Sequence, residues 1–106
     1  MLAWVGLVVA IVAEVAATLA LKSAGDGRAL PIAVGVAGYA ISFYALYLVL
    51  RTLEVGTVYA IWAGTGTALV AVAGMAFLGE AVSPAKVGSI LLIIAGVIGL
   101  NLAGAH

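Results

Sequence analysis

Polar and charged positions are so sparse along this chain of 106 residues that they act as punctuation between apolar runs. Four runs result: Leu2 to Leu21, Leu30 to Leu50, Val55 to Leu78 and Val87 to Ala103. The shortest holds 17 residues and the longest 24, which brackets the roughly 20 that a helix needs to cross a hydrocarbon core about 30 Å thick. The runs are apolar all round, whereas lipid-exposed strands alternate over about 10 residues and must close into a barrel. The pattern predicts an all-α membrane protein with four transmembrane helices.

The connections carry turn and cap signals. Gly25-Asp26-Gly27 marks a turn before a second helix whose first turn holds Pro31. Arg51-Thr52-Leu53-Glu54 joins the second run to the third, and Gly79 suits the end of the third helix. Ser83-Pro84 reads as an N-cap followed by the first helical residue. Connections this short force neighbouring helices to run up and down as antiparallel pairs, in one membrane domain over residues 1–106 with no room for a soluble one.

Composition agrees: 67% of residues are hydrophobic and 8% charged, against about 25% charged in soluble domains. Zero formal net charge without a basic cluster argues against nucleic acid or a polybasic surface anchor as the mode of action. There is no Cys, and the single His is the last residue, so neither a thiolate site nor a metal centre is expected, nor a cofactor. Lys22, Arg28 and Lys86 lie in the first and third loops, and Arg51 in the second. Three against one, before the N-terminal amine is counted on the poorer side, is a weak orientation signal. Such a chain suits insertion either way up and pairing with an inverted copy, which would supply the two-fold relation that many transporters build from inverted repeats.

One acid breaks the pattern. Of the eight Asp, Glu, Lys and Arg residues, only Glu14 sits inside an apolar run. An ionisable group there costs about 2.5 kcal/mol or more on insertion scales, and such groups face bundle interiors or watery cavities on ion and proton pathways. The alternative is a permanently protonated carboxyl that only donates a hydrogen bond between helices. A cleaved secretory signal fits poorly, because Met1-Leu2-Ala3-Trp4 holds no Lys or Arg and the acid interrupts the apolar stretch.

Helical spacing puts Leu7, Ala10, Ile11, Ala17, Thr18 and Leu21 on the face of Glu14, with Ala10 and Ala17 leaving room beside it. On the second helix Tyr39, Phe43 and Tyr47 form a stripe at four-residue spacing, with Ser42 beside it. Tyr47 and Trp4 suit the membrane interface, while Tyr39 and Phe43 lie deeper, where a ring near a carboxylate attracts a delocalised cation. On the third helix Tyr59 and Trp62 share a face, and Gly64 and Gly66 follow. These glycines serve either close packing or a kink between two states. The fourth helix lacks acids and aromatics; Ala95, Gly99 and Ala103 form a small-residue seam suited to helix association.

Ala13-Glu14-Val15 with Thr18 and Lys22, together with Val58-Tyr59-Ala60-Ile61-Trp62-Ala63-Gly64-Thr65-Gly66 and Leu92-Ile93-Ile94-Ala95-Gly96-Val97, resembles the small multidrug resistance family over essentially the whole chain. The resemblance implies an integral protein of the bacterial inner (plasma) membrane, not an enzyme. Its four-helix subunits would pair as an antiparallel, dual-topology homodimer that exchanges protons for cations. It implies Ser89, Leu92, Ala95, Gly96 and Gly99 as dimer packing residues. Thr18, Tyr39, Phe43 and Asn101 resemble the branch that exports polyaromatic and quaternary ammonium cations. The guanidinium-exporting branch usually carries Trp two residues after the acid and Lys on the fourth helix, where this chain has Ala16 and Asn101. Two departures stand out: Ser89 replaces a usual Gly, and Tyr44 lies where some members have Trp.

The expected mechanism is competition, in which a hydrophobic cation and protons share the Glu14 pair of two subunits. An aromatic box of Tyr39, Phe43, Tyr59 and Trp62 would hold the cation, Thr18 and Ser42 would adjust its polarity, and Gly64 to Gly66 would act as hinge. The rivals are a guanidinium exporter of the same family, a rotor-type proton carrier and a structural membrane adaptor. A partner chain could be a second copy or a paralogue.

Overall fold

The computed structural model describes residues 2–25 and 27–103. Four α-helices follow one another: α1 (Leu2–Ala24), α2 (Ala29–Leu50), α3 (Val55–Phe77) and α4 (Pro84–Ala103). All four are long and apolar enough to cross a membrane. At 1.5 Å per residue they span roughly 30–35 Å. Relative to the expected boundaries, α1 runs on to Ala24, where Gly25 and Gly27 at φ 50° and 88° turn the chain. Lys22 lies in the last turn of α1, where a cation complements the helix dipole. The central residue of the expected turn, Asp26, lies outside the described residues, as does His106.

At the other end, α4 begins three residues before its apolar run. Ser83 Oγ accepts from the Lys86 backbone N–H at 3.2 Å, which makes Ser83 the cap and Pro84 the first helical residue, as the sequence suggests. Gly79 follows the C-cap residue Leu78 of α3 at φ 71°, and the Gly74 carbonyl accepts from both Leu78 and Glu80 N–H. Only glycine takes that φ without a steric cost.

The chain divides into two compact units, residues 1–53 and 54–106. In the first, α1 and α2 are antiparallel and packed through small residues. A Cβ placed on Gly38 would lie 2.8 Å from Ala17 Cβ and 3.2 Å from the Ala13 carbonyl oxygen; one on Gly6 would meet Val49 at 3.0 Å. Gly6, Ala10, Ala13 and Ala17 on α1 and Gly35, Gly38, Ser42, Ala45 and Val49 on α2 alternate steps of three and four, the spacing that keeps one seam facing a partner helix.

In the second unit α3 and α4 pack through branched chains, Gly64 facing Ile93 and Val97. Cavities of about 380 and 220 Å³ lie between these helices, the larger beside Glu80 and Lys86 and the smaller among Ala68, Val72, Ile94 and Val97. Along its seam the α1–α2 pair packs more closely, since an added Cβ on Gly6, Gly35 or Gly38 would meet the facing helix at 3.0, 2.7 and 2.8 Å.

Candidate functional site

Glu14 is held in the middle of α1, about 18 Å from the first described turn. Its face is the buried one: Leu7, Ala10, Ile11 and Ala17 are all buried. Ala13 and Ala17, which flank it, are the residues that Gly38 abuts. Backbone contact with α2 therefore fixes α1 on both sides of the acid. The carboxyl is half-buried, and its Oε2 is shielded from solvent without a hydrogen-bond partner among the described residues. A buried polar atom left unpaired costs about 1–3 kcal/mol, so this oxygen is a place where a proton or a cation would be stabilised.

Beside it runs a short relay. Thr18 Oγ donates to the Glu14 backbone carbonyl at 2.9 Å and lies 2.6 Å from the Tyr39 hydroxyl. A threonine hydroxyl has one proton, so with that proton on the carbonyl, Tyr39 is the donor to Thr18. The sequence placed Thr18 and Tyr39 near the acid; the structure orders them as Tyr39 to Thr18 to the peptide group of Glu14. Tyr39 stacks on Phe43, with centroids 6.5 Å apart and planes at 28°. Tyr47, the third member of the expected stripe, pairs with Tyr44 instead.

Ser42 is fully buried and donates to the Ala10 carbonyl at 2.7 Å, one turn before Glu14. Its hydroxyl fixes the register of α1 against α2. In the other unit, Tyr59 and Trp62 meet edge to face with centroids 5.3 Å apart; Trp62 is buried and Tyr59 exposed. The α3 helix continues unbroken through Gly64 and Gly66. On α4, Ser89, Leu92, Ala95, Gly96 and Gly99 are exposed, and a Cβ on Gly96 or Gly99 would meet nothing within 4 Å. Sequence reasoning missed Gly38 and Ala13. The alternation of three and four between small residues was their signal.

The first unit thus holds an acid at mid-helix whose Oε2 has no partner among the described residues, with the Tyr39 hydroxyl linked through Thr18 to its peptide group. A family model described as Small Multidrug Resistance protein matches residues 2–93. The chain belongs to the small multidrug resistance family. Multidrug transporter PA4990 of Pseudomonas aeruginosa is 48% identical over 97 residues, covering 91% of this chain and 88% of that protein. Quaternary ammonium compound-resistance protein QacE of Escherichia coli is 42% identical over 107 residues, covering 97% of each chain. A Guanidinium exporter of Citrobacter freundii is 40% identical over 102 residues, covering 95% of this chain and 97% of the relative. The relatives are thus named for multidrug transport, quaternary ammonium resistance and guanidinium export, and this member is an integral membrane protein of the transporter class.

Proposed function

We propose that the protein is a proton-coupled antiporter that exports hydrophobic and quaternary ammonium cations across the bacterial inner membrane. The observation that carries this reading is the half-buried Glu14 carboxyl at mid-span, with Oε2 lacking a partner among the described residues. In hydrocarbon a carboxylate is stabilised by a proton or by an organic cation, and one group cannot serve both at once. A cation arriving from one side displaces protons, and protons arriving from the other displace the cation. For this the acid must titrate within the pH range of the cell.

Tyr39 and Phe43 offer ring faces to a delocalised charge in the first unit, and Tyr59 and Trp62 are a second ring pair proposed to serve the same cation. Thr18 and Ser42 adjust it through the polar contacts they make to α1 and α2. Two copies inserted in opposite senses would contribute one Glu14 each. The exposed small-residue face of α4, with open space over Gly96 and Gly99, is the proposed dimer contact. Gly64 and Gly66 are the proposed hinge, where loss of side chains lets α3 bend as access alternates.

The guanidinium reading is the second, favoured by the 40% identity to a relative of that name. Ala16 and Asn101 weigh against it, because the Trp and Lys that the resemblance associates with guanidinium export are absent at these positions. Proteoliposomes with an imposed pH gradient test both. Wild type is expected to drive uptake of tetraphenylphosphonium against its gradient and to prefer it to guanidinium. Glu14→Gln is expected to abolish coupled uptake, and retained coupled uptake by that variant overturns the proposal.

A further inference from the structure

Away from Glu14, the first unit carries an open trough of about 730 Å³ between the start of α1 and the end of α2. Its floor is Gly6, Ala45 and Val49, close-packed because Gly6 has no side chain to hold the helices apart. Its walls are longer and exposed: Leu2, Val9, Ile41, Tyr44 and Leu48. The trough runs from Ala40 to Thr52 along α2, a rise of about 18 Å. One leaflet of a hydrocarbon core is about 15 Å deep. The trough therefore spans one leaflet, about half of α2, a length that suits an acyl chain and falls short of what a spanning helix would need.

The outer end is marked by charge. Arg51, exposed, is the C-cap residue of α2 and adjoins Thr52 at the mouth. Among the described residues of this unit it is the only side-chain cation at that end, since Lys22 and Arg28 flank the opposite loop. The nearest acid in sequence, Glu54, turns toward its own helix, with Oε1 3.5 Å from Thr57 Oγ1. A guanidinium at headgroup level is geometrically matched to a phosphate. The Leu48 carbonyl accepts from the Arg51 N–H and the Val49 carbonyl from those of Thr52 and Leu53, so neither needs the guanidinium as a cap.

We infer that this trough is a binding site for one anionic phospholipid, whose acyl chain lies over Gly6 and Ala45 and whose phosphate pairs with Arg51. The site is separate from the Glu14 region and does not depend on the exchange reading. Its selectivity comes from Arg51 and its shape from the missing side chain at Gly6.

The full-length protein in nanodiscs, photolabelled with phosphatidylglycerol or phosphatidylcholine bearing a diazirine in the acyl chain, tests this. Peptides covering residues 2–9 and 40–49 are expected to label more strongly than the peptide around the exposed Val34 and Val36 of α2, and phosphatidylglycerol more than phosphatidylcholine by about five-fold, the weight of one basic residue at a membrane surface. Arg51→Gln should remove the headgroup preference while Arg51→Lys largely keeps it. Ala40→Trp, at an exposed position on the trough wall, should lower labelling with both lipids. Labelling spread evenly over all exposed helix faces, or a headgroup preference untouched by Arg51→Gln, overturns the inference. So does a cross-link from this trough to a second copy of the chain in place of lipid.

Discussion

Adding one methyl group at Gly38 should loosen the helix pair that carries Glu14. The new Cβ would stand 2.8 Å from Ala17 Cβ, while carbon atoms prefer about 3.5–4.0 Å. Ala17 has no rotamer through which to retreat, so α1 and α2 must separate by about 0.7–1.2 Å at that level. The Tyr39 to Thr18 bond, 2.6 Å long, lies one residue from the contact on each helix. The same displacement would stretch it to about 3.3–3.8 Å, beyond a good O–H···O length. Overpacking costs about 1–3 kcal/mol and the lost bond about 0.5–1.5 kcal/mol. The helix preference of Ala over Gly returns up to about 1 kcal/mol, so the expected net destabilisation is about 0.5–4.5 kcal/mol. Gly88→Ala is the control, because nothing lies within 4 Å of its added Cβ. Gly35→Ala should fall between, since it meets the movable end of the Leu21 side chain. Thermal unfolding in detergent, followed by tryptophan fluorescence, should give midpoints in the order Gly38→Ala below Gly35→Ala below Gly88→Ala. A Gly38→Ala midpoint equal to that of Gly88→Ala would refute the close-contact reasoning.

Further expectations follow from individual contacts. Tyr39→Phe removes the donor to Thr18 and should cost about 0.5–1.5 kcal/mol in the same unfolding assay, with the ring stacking on Phe43 retained. Ser83→Ala removes the cap of α4 and should cost about 1 kcal/mol, seen as faster hydrogen exchange in its first turn and unchanged exchange in α2. Under the competition mechanism, protonation of Glu14 excludes the cation, so lowering the pH through its titration should weaken tetraphenylphosphonium binding by up to about ten-fold per pH unit for each proton displaced. Isothermal titration at several pH values checks this, and Glu14→Gln should show a flat, weaker profile.

Much of the fold was legible because lipid imposes a simple rule: runs of about 20 apolar residues, closed by glycine, proline and charge, become spanning helices. Ser83-Pro84 and Gly79 act as their types suggest. The early start of α4 shows where that reading stops, because Lys86 belongs to the helix and its side chain reaches back to the Ala81 carbonyl at 2.7 Å. Glu14 announced itself by its cost. Its setting did not, since the match between Ala17 and Gly38 depends on the register of two antiparallel helices, which a single sequence does not reveal. Ser42 shows the same limit. Read as a polar adjuster of the site, its hydroxyl is seen to bond the backbone of the neighbouring helix. The stripe Tyr39, Phe43, Tyr47 was sound as helical spacing, yet side-chain direction sorted the rings into two pairs.

The central claim is that one carboxyl holds either a proton or a cation, and proton release on binding tests it most directly. Purified protein in weakly buffered detergent, mixed with saturating tetraphenylphosphonium near neutral pH, is predicted to acidify its medium, while Glu14→Gln does not. Cation binding by the wild-type protein without proton release at any pH would contradict the account.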